Sequence, residues 1–203
     1  VGYEGERQFY DAPMTKNKYI TFGSFNNFRK INSDVIDAWS SILKNTDNAK
    51  LILKASDVAS VSKISKEFEK NGVLDLVEFL THKKTLEDHL NQYKNIDVAL
   101  DTFPYNGVTT SFEAIWMGVP VLTIKGYNFN SRCGESINKN LGLNELIAEN
   151  KNDYIEKAVS LSKDNKILEL RKFVFNNCMK SPLFDKKKFS KQFFTSLEKI
   201  YNQ

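Results

Sequence analysis

Short apolar runs alternate with helix-like segments along most of this chain, and that alternation limits the folds it can adopt. Buried strands joined by helices form a parallel sheet covered on both faces. We therefore expect an α/β fold whose ligands bind beyond the carboxyl ends of the strands. The predicted strands are Tyr19–Phe25, Leu51–Leu53, Leu74–Leu80, Ile96–Leu100, Val119–Ile124 and Leu146–Ile147.

Apolar residues at helical spacing fill the segments between these strands. Either Asn32 or Ser33 is expected to cap the first helix, and Gly72 to end the second. From Tyr154 onward only helices are expected. The predicted helices before that point are Asp34–Leu43, Val61–Asn71, Leu86–Tyr93, Thr110–Met117 and Ser136–Leu141.

Composition favours a folded domain, because 41% of the 203 residues are apolar. The net charge is +4, and the strong basic cluster is Lys186–Lys188, which is more typical of a solvated face than of a nucleic-acid site. No apolar run approaches membrane-spanning length, so we expect neither a nucleic acid nor a membrane as partner. Cys133 and Cys178 suggest no disulfide framework and no metal site, which favours a cytoplasmic setting.

The segment Asp101–Pro120 carries the clearest sign of function. It follows a predicted buried strand, forms a turn around Asn106 and Gly107, and starts a helix at Thr109–Thr110. A helix start after a strand binds anions well, because its first amides have no internal partners and its dipole favours negative charge. The chain contains neither the dinucleotide fingerprint nor a Walker loop.

The same helix start also allows a purely structural interpretation. Thr110-Ser-Phe-Glu113 fits a capping box, in which Glu113 reaches back to the amide of Thr110. Capping boxes are more common than phosphate-binding loops, so these residues alone favour the capping role.

Several blocks of sequence resemble the catalytic region of a known family, and they occur in the same order along the chain. They are Leu100–Thr123, Tyr19–Ile31, Ser131–Ser136, Leu141–Ala148 and Ser181–Phe184. With the helix after the last block, they cover about residues 18–203 and look like the C-terminal catalytic lobe of O-linked N-acetylglucosaminyltransferases, including the SPINDLY-like proteins. The resemblance implies a two-lobed GT-B type glycosyltransferase with a Rossmann-like sheet in each lobe, of which only the second lobe is present here.

The resemblance assigns roles to two residues after the first predicted strand. Lys30 matches an essential lysine that binds the diphosphate and stabilises it as it leaves, which is an electrostatic role. Asn27 matches a polar amide, often Gln, that contacts the nucleotide, although the Asn side chain is shorter. From the sequence alone, a solvated lysine at a helix entry is the simpler interpretation of Lys30.

Other matching positions are expected to bind the rest of the nucleotide. His89 matches a histidine that stacks near the uracil ring, and Thr109 with Thr110 matches a pair that binds the diphosphate. Glu113 matches an acid that hydrogen-bonds the ribose hydroxyls, so its ribose and capping interpretations both remain open. The turn before the helix is expected to line the same site through Asn106, Gly107 and Val108.

The resemblance also implies that some functional groups are missing from this chain. Some family members have a ribose-contacting lysine where this chain has Leu86, so that contact is expected to be absent or to come from Lys83 or Lys84. Asp97 is interpreted as a polar strand start, no Asp-x-Asp pair is present, and no metal or other cofactor is expected. The histidines proposed as general base belong to the first lobe, and His82 has no matching role.

Residues 1–18 are predicted to be an irregular interlobe segment, 19–180 the nucleotide-sugar-binding lobe, and 181–203 a C-terminal helix that packs toward the first lobe. The expected reaction is inverting transfer of N-acetylglucosamine from UDP-N-acetylglucosamine, the donor substrate, to Ser or Thr of a protein. The isolated lobe is expected to be inactive, and tetratricopeptide repeats upstream are implied by the family. The alternatives are a transferase using GDP-fucose or UDP-glucose, a non-catalytic binding or scaffold module of the same fold, or a nucleic-acid-binding domain.

Overall fold

The computed structural model describes residues 7–55, 57–163 and 166–202. These residues form a parallel sheet between two layers of helices. The strands are β1 (Ile20–Ser24), β2 (Ala49–Lys54), β3 (Val77–Leu80), β4 (Val98–Leu100), β5 (Val121–Ile124) and β6 (Ile147–Ala148). The helices are α1 (Met14–Asn17), α2 (Ser33–Lys44), α3 (Val58–Lys70), α4 (Leu86–Asn91), α5 (Thr109–Trp116), α6 (Cys133–Leu141), α7 (Lys151–Lys163), α8 (Ile167–Cys178) and α9 (Lys186–Tyr201).

The strand order across the sheet is β3-β2-β1-β4-β5-β6, and each described pair is parallel. The chain moves outward from β1 in one direction through β3, and then returns to place β4 on the other side of β1. The loops after β1 and β4 therefore leave toward opposite faces, and a crevice opens between them at the carboxyl edge. Sheets of this kind bind their ligands at this switch point.

Apolar side chains cover both faces of the sheet, as the continuous apolar strands predicted. On one face α2, α3 and α7 pack their apolar sides around Phe22 and Leu51, with Trp39 of α2 fully buried. On the other face α4, α5, α6 and α8 pack around Ile96 and Val121. This double cover holds the strand ends in fixed positions and so fixes the crevice.

Local sequence explains where α2 begins and where α3 ends. The side chain of Asn32 accepts a 2.9 Å hydrogen bond from the amide of Val35, so Asn32 rather than Ser33 caps α2. After α3 the chain passes through Gly72, which has φ of +68°, a conformation that glycine adopts with little strain. Both signals were visible in the sequence.

Several predicted boundaries differ from the structure. Leu74–Leu76 forms a 3-10 turn before β3, and α6 begins at Cys133 rather than Ser136. In the predicted irregular segment 1–18, residues 1–6 lie outside the described residues and Met14–Asn17 form one helical turn. In the segment 181–203, a 3-10 turn at Pro182–Phe184 precedes α9, and Gln203 lies outside the described residues.

Asp97 is wholly buried, so the interpretation as a simple polar strand start is incomplete. Its carboxylate accepts hydrogen bonds from the amide of Thr21 at 2.8 Å and from the amide of Met14 at 3.1 Å. Burial raises the pKa of Asp97 to about 6, although these two hydrogen bonds and the charge of Arg171 lower it. Asp97 thus attaches the segment before β1 to the amino edge of the sheet.

Candidate functional site

The loops after β1, β4 and β5 are brought together at the carboxyl edge of the sheet. Lys30, after β1, donates from Nζ to the main-chain oxygen of Asn106 at 2.8 Å. The amide of Asn106, after β4, donates in turn to the main-chain oxygen of Asn130 at 3.0 Å. The crevice is therefore bordered by three loops that hydrogen-bond to one another.

Lys30 is half-buried and is not a fully solvated lysine. Its Nζ lies 4.2 Å from the centre of the Tyr105 ring, in addition to its hydrogen bond with Asn106. Burial lowers the pKa of Lys30, and the nearby Asp101 and Cys133 partly offset that effect. The solvated interpretation of this lysine is therefore wrong, and its charge is held at the crevice.

Asp101, at the end of β4, organises the turn that follows it. One carboxylate oxygen accepts from the amides of Gly107 at 2.6 Å and Thr102 at 2.9 Å, and the other accepts from the hydroxyl of Thr123 at 2.8 Å. Burial raises the pKa of Asp101 to about 6, although these hydrogen bonds and Lys30 lower it. Sequence reasoning had assigned Asp101 no role beyond the end of a strand.

The turn itself is tightly packed around Gly107. A Cβ at this position would lie 2.6 Å from Oγ1 of Thr110, 2.7 Å from Oδ1 of Asn26 and 2.9 Å from Oγ of Ser111. Asn106 is fully buried, and its side-chain amide donates to the main-chain oxygen of Thr102 at 2.9 Å. Glycine is thus favoured here, because a Cβ would crowd three polar side chains that belong to the site.

The predicted capping box at Thr110–Glu113 is wrong. Helix α5 begins one residue earlier, at Thr109, and its N-cap residue Val108 makes no side-chain capping bond. Thr110 is therefore inside the first turn, and its hydroxyl donates to Oδ1 of Asn26 at 2.8 Å. The first helical hydrogen bond runs from Phe112 N to Val108 O. The amides of the residues before Phe112 therefore have no acceptor within the helix, as at any helix start.

Glu113 instead belongs to a compact polar cluster beside the crevice. Its Oε2 lies 2.9 Å from Nε2 of His89 and 3.1 Å from the hydroxyl of Tyr93, which also lies 3.1 Å from the main-chain oxygen of Thr110. Nδ1 of His89 contacts Nζ of Lys54, at the end of β2. The sequence identifies His89 and Glu113 as site residues. It does not identify Lys54 and Tyr93, because neither of them matches a motif.

Of the two asparagines after β1, the structure uses the first to build the site. Asn26 is buried, and its side chain joins Thr110 to Asp101, whose Oδ1 lies 3.4 Å from Nδ2. Asn27 is exposed, and its Oδ1 accepts from the amide of Arg29 at 2.9 Å to cap a short 3-10 turn. Asn27 therefore lies at the rim of the crevice, and Asn26 is a participant that the sequence did not reveal.

A cleft of about 550 Å³ lies between α5 and the segment that joins α8 to α9. Leu86, Val108, Thr109 and Glu113 line one side of it, and Met179 and Phe184 line the other. A larger cavity of about 750 Å³ lies at the amino edge of the sheet, near Thr21. Ligands of parallel sheets bind at the carboxyl edge, so the smaller cleft is the better candidate. The described structure leaves His82, Lys83 and Lys84 exposed to solvent.

Neither a metal-binding cluster nor a membrane-spanning helix occurs among the described residues. In residues 7–55, 57–163 and 166–202, no group of three or more His, Cys, Asp or Glu side chains is arranged to hold a metal ion. Over the same ranges, no helix is both long enough and apolar enough to cross a membrane.

Comparison with known proteins gives consistent matches. Residues 5–193 match the family model described as glycosyl transferase family 41. A Solanum lycopersicum protein described as a probable UDP-N-acetylglucosamine–peptide N-acetylglucosaminyltransferase SPINDLY is 34% identical over 201 residues, a match that covers 94% of this chain and 20% of that protein. The chain thus spans about a fifth of the length of the curated relatives it matches.

Solved structures agree with the fold. A mutant of the Thermobaculum terrenum O-GlcNAc transferase is 35% identical with a TM-score of 0.75, and the match covers 83% of this chain and 32% of that one. A Staphylococcus aureus TarM mutant is only 15% identical, with a TM-score of 0.64 over 88% of this chain and 34% of that one, and shows the fold alone. The architecture is the Rossmann-like α/β lobe of a two-lobed, GT-B type glycosyltransferase, and the chain belongs to glycosyl transferase family 41.

Proposed function

We propose that this chain is the donor-binding lobe of an inverting, metal-independent glycosyltransferase. The proposed reaction transfers N-acetylglucosamine from UDP-N-acetylglucosamine to a Ser or Thr hydroxyl of a protein. One observation carries the proposal: the Lys30 ammonium and the start of α5 lie at the same switch-point crevice, joined through the 2.8 Å hydrogen bond to Asn106. A cation and a helix start together form a site suited to a diphosphate.

In this proposal the diphosphate binds at the first turn of α5. The amides of Thr109 and Thr110 donate to its oxygens, and Lys30 turns from Asn106 toward the oxygen that bears the sugar. Negative charge on the diphosphate grows as the sugar leaves, so a fixed cation stabilises the transition state more than the bound donor. Val108 borders the cleft beside the start of α5, and the backbone of Gly107 is proposed to face the diphosphate.

The nucleoside is proposed to bind toward α4. Glu113 lies in the wall of the cleft beside Thr109, and a carboxylate there accepts hydrogen bonds from the two ribose hydroxyls. His89, held by Glu113, presents its ring to the uracil. Asn27 lies beside Lys30, where its Oδ1 is engaged by the amide of Arg29 and its Nδ2 can still donate to the nucleotide.

The choice of sugar and acceptor is supported by the relatives. The tomato relative is described as a UDP-N-acetylglucosamine–peptide transferase, and the Thermobaculum structure as an O-GlcNAc transferase. Transferases of the same fold using GDP-fucose or UDP-glucose remain the alternative. A non-catalytic nucleotide-binding or scaffold module is the second alternative. Such a module would need the same fold, but it would not need Lys30 to act on a leaving diphosphate.

The proposal divides the active site between two lobes. This chain supplies the donor site, and the general base and acceptor groups belong to the other lobe, so this chain alone does not transfer sugar. Upstream tetratricopeptide repeats would present the protein acceptor. Cys133 and Cys178 are both free thiols, which supports a cytoplasmic reaction, where thiols stay reduced.

The direct experiment uses the intact protein that carries this chain. It is incubated with a protein acceptor and, separately, with UDP-N-acetylglucosamine, UDP-glucose or GDP-fucose, and the acceptor is weighed by mass spectrometry. We expect addition of one N-acetylhexosamine from the first donor. Addition of hexose or deoxyhexose instead would favour a related transferase, and nucleotide binding without any transfer would favour the scaffold.

A further inference from the structure

A lysine at the carboxyl end of β2 is buried beside the proposed nucleoside site. Lys54 is only 8% exposed, and its Nζ contacts Nδ1 of His89. Burial lowers the pKa of Lys54, and the charge of Glu113 partly offsets that effect. Burying an ammonium group is costly unless it is paired, so its position beside His89 calls for an explanation.

The contact determines how His89 carries its proton. A lysine ammonium has only donors, so Nδ1 of His89 must accept from Lys54 and cannot itself carry a hydrogen. In the neutral ring the proton is then on Nε2, from where it donates to Oε2 of Glu113 at 2.9 Å. Lys54, His89 and Glu113 therefore form one directed chain of hydrogen bonds from a cation to an anion.

This chain of hydrogen bonds leaves one oxygen of Glu113 for a ligand. The contacts from His89 and Tyr93 both fall on Oε2. Oε1 accepts no hydrogen bond from any side chain that the structure describes, and Glu113 lies in the wall of the cleft beside Val108 and Thr109. A carboxylate fixed by one oxygen can accept hydroxyl groups through the other without reorganising.

We infer that Lys54 is a positioning residue, which keeps Nδ1 of His89 unprotonated and thereby holds Glu113 ready to accept the hydroxyls of a nucleotide ribose. The identity of the ligand rests on the proposed function, whereas the tautomer of His89 does not. Lys54 acts through His89 and need not touch the nucleotide. The exposed Lys83 and Lys84, on the loop before α4, are not required for this role.

The first test reads the tautomer directly in the unliganded chain. His82 and His89 are its two histidines, and His82 is exposed, so nitrogen-15 spectra contain one buried ring and one internal reference. We expect His89 with its proton on Nε2 alone in the wild type and in Lys54→Arg, because the cation faces Nδ1 and Glu113 faces Nε2. In Lys54→Met, Nδ1 no longer faces a cation, so part of the molecules should carry a second proton there. Lys50→Met, at the exposed amino end of the same strand, is the matched control and should leave the spectrum unchanged.

The second test measures the preference for UDP over 2′-deoxy-UDP. A hydrogen bond to a carboxylate is worth roughly tenfold in affinity or more, so Lys54→Met should lose about that factor of preference and Lys54→Arg should recover it. The affinity ratio of UDP to uridine should stay unchanged, because Lys54 is not assigned to the diphosphate. Lys50→Met should keep both ratios.

The two tests separate this inference from the proposed function. A wild-type proton on Nδ1, an unchanged nitrogen spectrum of His89 in Lys54→Met, or a fall in the UDP-to-uridine affinity ratio of Lys54→Met would each overturn the positioning role, even if UDP binds well. Absence of UDP binding by the wild type would overturn the proposed function, while the nitrogen spectra would still decide what Lys54 does to His89. If Lys54→Met fails to fold, the wild-type tautomer and Lys54→Arg decide the question.

Discussion

Lys30 donates to the main-chain oxygen of Asn106 at 2.8 Å and thereby joins the two loops on either side of the switch point. The acceptor is a neutral carbonyl, and among the described ion pairs none includes Lys30. The ammonium is therefore positioned by the turn without being neutralised by a contacting carboxylate. That arrangement keeps its charge for an incoming anion.

The first prediction concerns the rate contributed by Lys30. In the intact enzyme, Lys30→Ala should lower kcat by roughly 10²–10³, the usual loss for one preorganised electrostatic contact, with a smaller effect on donor affinity. Arg29→Ala removes an exposed cation from the same 3-10 turn and should leave kcat close to wild type. Equal rates for the wild type and Lys30→Ala would show that Lys30 does not act on the leaving group.

The second prediction concerns the turn before α5. A Cβ added at Gly107 meets Thr110 at 2.6 Å, so Gly107→Ala should displace the helix start and weaken UDP binding more than tenfold, in addition to a stability loss of about 1–3 kcal/mol. Gly72→Ala is the control, because its Cβ meets nothing within 4 Å and only its φ of +68° is strained. It should lose about 1 kcal/mol of stability and keep its UDP affinity, as measured by denaturant unfolding and calorimetry.

The strands and the crevice were predictable because their signals are local. Apolar runs identified the strands, and the chemistry of a helix start after a turn identified the segment from Asp101 to Glu113. The capping box failed because the same residues have tertiary partners. Thr110 is engaged by Asn26, and Glu113 by His89 and Tyr93.

Lys54 and Asn26 could not be identified from the sequence for a related reason. Each lies next to an apolar run, where a polar residue at a strand end is ordinarily solvated. Lys54 gains its partner only because β2 and β1 pair in a register that leads their ends toward α4 and α5. Asn26 rather than Asn27 joins the turn because Asn27 faces solvent as a cap. A shift of one residue cannot be resolved by periodicity alone.

The third prediction concerns the pH dependence of stability through Asp97. Its pKa rises from 3.8 to about 6 on folding, so between these values the folded chain binds more protons than the unfolded chain. The free energy of unfolding should therefore fall as pH rises from 4 to 6, by up to ~3 kcal/mol from this group. Asp97→Asn should remove that part of the pH slope, even if the substitution also changes the stability by an amount that does not depend on pH. Asp75→Asn, at an exposed site, should keep the wild-type slope in denaturant titrations, and an unchanged slope in Asp97→Asn would contradict the prediction.

The fourth prediction concerns helix α9. It has no buried residue among those described, and its apolar side chains are exposed, with Phe189 at 66% and Ile200 at 69%. An apolar stripe of this kind promotes association, so the isolated chain should sediment with increasing mass as its concentration rises. Replacing Phe189, Phe194 and Ile200 together by Ser should keep the chain monomeric, whereas Lys191→Ser should not. A wild-type chain that stays monomeric at high concentration would contradict this prediction.

Calorimetric titration of the chain with UDP in the presence of a chelator tests the central claim most directly, with 2′-deoxy-UDP and Glu113→Gln as companions. The account predicts that the wild type binds UDP without added metal and prefers it over 2′-deoxy-UDP by roughly tenfold or more, as expected for a hydroxyl bonded to a carboxylate. Glu113→Gln should lose most of that preference. Absence of UDP binding, or binding only when a metal is supplied, would contradict a metal-independent donor site at this crevice.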